Sequence, residues 1–111
     1  MIVLGNAFSL KMLPREKTSK LTVIPSSQEE VKGIVQQFPF KSIIGHEGNA
    51  QLLSDLLGVK VPVNRETFTL TSEVTLLVGM PSGGRLPEGR VLSKEELEAI
   101  QLDWFIVHLE E

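Results

Sequence analysis

The chain has 111 residues, 41% hydrophobic and 23% charged, which is enough for one globular domain, 1–111, and too little for two. Its net charge of −3 excludes a general binder of long nucleic acid, which needs a basic stripe to displace counterions from the polyanion. The lack of cysteine excludes disulfides, thiolate chemistry and cysteine-rich zinc sites, and the apolar runs are too short to span a bilayer.

Met1-Ile2-Val3-Leu4 has no basic lead-in and no cleavage site, so it reads as a first strand and not as a signal peptide. A cytoplasmic protein with no membrane partner is expected. Asn6 to Ser9 reads as a polar turn, leading into a short segment stopped near Pro14. Lys20 to Ile24 is predicted as a second strand. Ser26 and Ser27 stand three residues before Glu29 and Glu30, so either serine can form a capping box. Behind them Val31, Ile34, Val35 and Phe38 have helical spacing, predicting a helix from Gln28 to Gln37.

Gly45-His46-Glu47-Gly48-Asn49 precedes a second helix, whose face is Leu52, Leu53, Leu56 and Leu57 and whose stop is a left-handed Gly58. Arg65 to Leu70 alternates as a strand would. Val74 to Met80 is almost continuously apolar, the pattern of a central strand buried on both faces. Pro81 to Arg90 is a loop rich in Gly and Pro. Ser93 with Glu96 predicts a capped short helix through Ile100, and Leu102 to Leu109 a last strand. These elements predict an α+β fold, a single compact domain with one central mixed sheet flanked by short helices.

Of the two histidines, His108 has little polar company in the last strand. His46 lies between two glycines at a helix start, where backbone N–H groups attract anions. There it could hand a proton to a leaving oxygen beside a bound phosphate; the plainer alternative is that it decorates a turn. A second constellation is Arg85-Leu86-Pro87-Glu88-Gly89-Arg90. Arg85 offers a fork that suits phosphate oxygens, and Glu88 could orient an attacking hydroxyl or accept its proton. A solvated turn explains the same residues. Arg65 supplies a third positive group. No nucleotide-binding glycine fingerprint or phosphate-binding lysine loop is present, and two distant histidines make a poor metal set. No cofactor and no metal are expected, so a nuclease built from these residues would use acid–base chemistry and electrostatics.

The ordered set Asn6-Ala7-Phe8-Ser9-Leu10-Lys11-Met12-Leu13, Ile44-Gly45-His46, Ala50-Gln51-Leu52-Leu53-Ser54, Leu56-Leu57-Gly58, Pro62-Val63-Asn64-Arg65 and Arg85 to Leu92 resembles the type III anti-CRISPR ring nucleases of viruses and their bacterial relatives. The resemblance runs from Met1 to about Val107. It implies a homodimer with cyclic tetra-adenylate held across the two subunits. It also implies metal-independent cleavage, in which a ribose 2′-hydroxyl attacks the neighbouring phosphate and gives linear di-adenylate with a 2′,3′-cyclic phosphate. The resemblance places the catalytic histidine on His46, the loop arginine on Arg85 and the loop glutamate on Glu88. Ligand contacts fall on Asn6, Ser9, Asn49 and Arg65. Lys11 stands where a polar amide is expected and Asn49 where threonine is usual, which bears on ligand contacts. Such a protein would counteract or terminate type III CRISPR signalling. The alternative from another class is a non-catalytic sponge or sensor, which needs the arginines but not the His46–Glu88 pair. A third is an interaction protein unrelated to nucleotides.

Overall fold

In the computed structural model, residues 1–16, 18–81 and 102–110 are described. Their elements are β1 (Ile2–Gly5), a 3₁₀ turn (Leu10–Met12), β2 (Lys20–Ser26), α1 (Gln28–Gln37), β3 (Lys41–Ser42), α2 (Glu47–Leu57), β4 (Thr75–Pro81) and β5 (Leu102–Glu110). The strands form one sheet in the order β2-β5-β4-β1-β3. β1 runs parallel to both β3 and β4, whereas β5 is antiparallel to β4 and to β2. The predicted α+β fold with one mixed sheet is the observed one.

The sheet divides the core in two. Alternate residues of a strand point to opposite faces, so Leu4 and its partner Leu77 face one side while Val3 and its partner Leu76 face the other. The first side is covered by α1 and α2 through Val31, Val35, Ala50, Leu53 and Leu57. The second is covered by irregular chain carrying Phe8, Met12, Leu13, Phe68 and Leu70. The helices therefore lie on one face only among the described residues. The continuous apolar run of β4 follows from its central place, where both faces are buried. Each fully buried Leu or Val stabilises the fold by roughly 1.5–3 kcal/mol.

Local chemistry sets the helix ends. Ser27 caps α1 by accepting from the Glu30 N–H (3.2 Å), and Ser26 donates its hydroxyl to the Glu30 carboxylate (3.0 Å). Of the two serines, Ser27 takes the capping place and Ser26 supports it. Gly58 ends α2 at φ 67°, and the Gln36 amide donates to the Leu57 carbonyl (3.1 Å), satisfying one acceptor of the last turn.

Two expectations need correction. Arg65 to Leu70 forms no strand. The Asn64 N–H just before it bonds to the Ile44 carbonyl (2.8 Å) and the Leu70 N–H at its end to the Met12 carbonyl (2.7 Å), and neither bond belongs to a ladder. The alternation arises because Phe68 and Leu70 cover a sheet face. Secondly, Lys41–Ser42 is a strand that the sequence did not suggest, added by pairing with Val3 and Leu4. The helix expected after Ser93 lies outside the described residues.

Candidate functional site at the carboxyl ends of the parallel strands

Since β1, β3 and β4 are mutually parallel in one sheet, their carboxyl ends lie on one side of it. Ligands of sheets with parallel strands bind outside such ends, on the loops that follow. Here β1 is followed by Asn6 to Ser9, β3 by Ile43 to His46, and β4 ends at Pro81. His108 pairs with Thr75 at the opposite end of β4, so the two histidines sit at opposite ends of the sheet.

Asn6 is half-buried directly after β1. Ser9 caps the 3₁₀ turn, its hydroxyl oxygen accepting from the Lys11 N–H (3.2 Å), which leaves its own hydrogen for another acceptor. Lys11 is exposed on that turn.

His46 occupies the N-cap of α2 in extended conformation, φ −126° and ψ 135°, and its side chain makes no capping bond. The imidazole is thus exposed and separate from the first-turn N–H groups of Glu47, Gly48 and Asn49. An uncapped helix start presents these donors with the positive end of the helix dipole, an arrangement suited to an anion. Asn49 sits half-buried in that turn.

Arg65 reaches this point because the segment before it is tied beside β3. The Asn64 side-chain amide donates to the Ser42 carbonyl (2.8 Å), and its backbone N–H to the Ile44 carbonyl (2.8 Å). Ser42 is buried, and its hydroxyl oxygen accepts from the Ile44 N–H (3.2 Å), fixing the bend that leads to His46. On the far side of Arg65, Glu66 pairs with Lys41. A hydrogen bond from Lys41 holds the Glu66 carboxyl below its ordinary range, against the opposing effect of desolvation, with the Lys41 charge and Asn64 adding to the lowering. Between these ties the Arg65 stem crosses Gly45, where a Cβ would lie 3.5 Å from the Arg65 Cβ, Cγ and Nε. Its Nη2 then stands 3.4 Å from His46 Nδ1.

The structure therefore brings Arg65 to His46 and sets Asn49 in the helix turn that His46 begins. Asn6 and Ser9 are placed on the loop after the neighbouring parallel strand. Arg85 and Glu88 lie outside the described residues. Sequence reasoning did not single out Asn64 and Ser42 as positioning residues. The one cue was the Asn64-Arg65 adjacency, which does not reveal a partner 22 residues away. Among the described residues no group of three or more His, Asp or Glu side chains could hold a metal ion, and no helix is long and apolar enough to cross a membrane.

Comparison with known proteins places the chain in a family. Over 97 residues the chain is 39% identical to protein ORF117 of Acidianus two-tailed virus, covering 84% of this chain and 81% of that one. It is 29% identical over 94 residues to protein YddF of Bacillus subtilis (strain 168), covering 82% and 81%. Among solved structures it is similar to B116 of Sulfolobus turreted icosahedral virus, with TM-score 0.76, 26% identity, and coverage of 96% of this chain and 97% of that one. The family model described as STIV B116-like matches residues 2–104, and the chain belongs to that family.

Proposed function

We propose that the protein is a metal-independent ring nuclease that binds cyclic tetra-adenylate and cleaves it to linear di-adenylate with 2′,3′-cyclic phosphate, counteracting or terminating type III CRISPR signalling. The observation that carries this reading is an exposed imidazole at an uncapped helix start, with a guanidinium beside it. Backbone N–H donors and Arg65 attract the phosphate, and His46 is the group placed to transfer a proton next to it.

In the reaction, the ribose 2′-oxygen bonds to the adjacent phosphorus and the P–O5′ bond breaks. The 2′-hydroxyl proton leaves to Glu88 or to water, and the 5′-oxygen takes a proton from His46. Arg85 stabilises the charge that builds on the phosphoryl oxygens. Two such cuts divide the ring into halves. A twofold ring matches a twofold homodimer, because one surface patch then serves both halves.

The test is incubation of labelled cyclic tetra-adenylate with the protein in excess EDTA, with chromatographic resolution of products. Linear di-adenylate with cyclic phosphate ends is expected. An intact ring bound to the protein would establish the sponge instead, and no binding would remove both.

A further inference from the structure

The two chain segments that build the candidate site are fastened to each other at the outer edge of β3. The Ile43 N–H donates to the Leu4 carbonyl (2.9 Å), so the main chain of Ile43 faces β1, and that of Ser42 and Ile44 on either side of it faces away from the sheet. Ser42 and Ile44 are buried, where unpaired main-chain groups are costly. Among the described residues no further strand pairs with this edge, and one residue takes its place. The Asn64 side-chain amide donates to the Ser42 carbonyl (2.8 Å), and the Asn64 backbone N–H to the Ile44 carbonyl (2.8 Å). The Ile44 N–H between them is met by the Ser42 hydroxyl oxygen (3.2 Å). The residues that follow this edge are Gly45 and His46, and the residue that follows Asn64 is Arg65.

We propose that Asn64 is the positioning residue of this site: by closing the outer edge of β3 it fixes Arg65 across Gly45, at a set place relative to the start of α2. The inference rests on the ring nuclease reading, in which Arg65 contacts the ligand, and adds the residue on which that contact depends. The Arg65 stem lies over Gly45, where a Cβ would stand 3.5 Å from its Cβ, Cγ and Nε. A second tie, between Glu66 and Lys41, joins largely solvent-facing side chains and therefore holds weakly. The Asn64 amide is half-buried on a main-chain carbonyl and is the stronger anchor. A guanidinium whose stem is fixed before the ligand arrives loses less conformational freedom on binding, so the anchor raises affinity. The amide is the group that the edge requires. Aspartate at 64 would turn a carboxylate oxygen on the Ser42 carbonyl with no proton between them, and would set a negative charge beside the arginine. Alanine there would keep the backbone bond and lose the side-chain one.

Titration calorimetry of the full-length protein with cyclic tetra-adenylate methylated on its 2′-oxygens, which cannot react, measures this dependence. Arg65→Ala and Asn64→Ala are each expected to weaken binding by roughly tenfold or more, the scale of one lost charge-assisted contact. The double variant is expected to bind no more weakly than Arg65→Ala alone, because Asn64 acts through Arg65. Asn64→Asp should bind no better than Asn64→Ala, and Asn64→Ser takes the place of Asn64→Ala if that variant does not fold. Gln36→Ala is the control. It removes the same kind of bond, an amide on the half-buried Leu57 carbonyl at the far end of α2, and should lower stability without changing affinity. Nitrogen-15 relaxation of the Arg65 Nε–H in ligand-free protein is the second readout. Its motion is expected to increase in Asn64→Ala and to stay as in wild type in Gln36→Ala. Losses that add in the double variant, wild-type affinity in Asn64→Ala, or an Arg65 Nε–H unmoved by that substitution would each overturn the proposal while leaving the ring nuclease reading standing. An analogue that the wild-type protein does not bind would sink that reading, and the relaxation measurement then decides the role of Asn64 by itself.

Discussion

At the scale of single residues, the proposed function assigns binding and proton transfer to different groups. If His46 is the acid, His46→Ala should slow single-turnover cleavage by about a hundredfold or more while affinity changes little. The first-turn N–H groups of α2 remain when the imidazole is removed. Affinity and rate measured on one folded preparation decide this, and a variant cutting at the wild-type rate would remove His46 from the mechanism. Arg85 is proposed to act on binding as well as on the charge that builds in the reaction. Arg85→Ala should weaken ring binding by about 1.5–3 kcal/mol, the scale of a lost charge-assisted hydrogen bond, and titration calorimetry would show it. An Arg85→Ala protein that binds and cleaves normally would remove Arg85 from the site.

At the scale of elements, the position of Arg65 depends on ties that lie outside any strand. Ser54 on α2 accepts from the Val61 N–H (2.9 Å) and donates to the Ala50 carbonyl (2.7 Å), joining the helix to the segment that carries Arg65. Ser54→Ala leaves the Val61 N–H unpaired in half-buried surroundings, at a cost of about 1 kcal/mol. Denaturant unfolding should show this loss, together with weaker ring binding; binding that is unchanged would mean that the segment holds its place without Ser54. The Lys41–Glu66 pair is an exposed counterpart. The Glu66 pKa is lowered in the folded protein, so its contribution is present above the ordinary glutamate value, near 4.3, and fades as pH falls through the lowered one. A stability difference between wild type and Glu66→Gln at pH 7 should therefore vanish in strong acid. A difference that persists there would assign it to packing and not to charge.

At the scale of the whole molecule, the two-sided core makes the central strand intolerant of added volume. A Cβ at Gly79 would fall 2.6 Å from the Trp104 ring, itself buried against the helix side of the sheet. Gly79→Ala should cost about 1–3 kcal/mol by overpacking, read in urea through the fluorescence of Trp104, the single tryptophan. The proposed assembly is a homodimer, because a 111-residue chain is too small to enclose a four-nucleotide ring alone. Light scattering should give twice the chain mass, and a monomer both free and with ring bound would exclude the shared site.

What could be read directly from the sequence was what neighbouring residues decide among themselves. The 3.6-residue apolar spacing and the serine–glutamate cap defined α1 from Gln28 to Gln37, and Gly58 ended α2, because caps and amphipathic faces act within a turn or two. The apolar run of β4 announced a strand buried on both sides, and the glycines around His46 drew attention to a helix start. Pairing over long separations was not legible in this way. Lys41–Ser42 is a strand only because Val3 and Leu4 lie beside it, and the alternating 65–70 segment is no strand because no ladder partner faces it. The meeting of Arg65 with His46 likewise depends on Asn64 bonding to β3 and to the turn after it, tertiary contacts that add no periodic signature to the chain. Tertiary structure alone decided that contact, since a guanidinium 19 residues from an imidazole meets it only when the backbone between them is folded back.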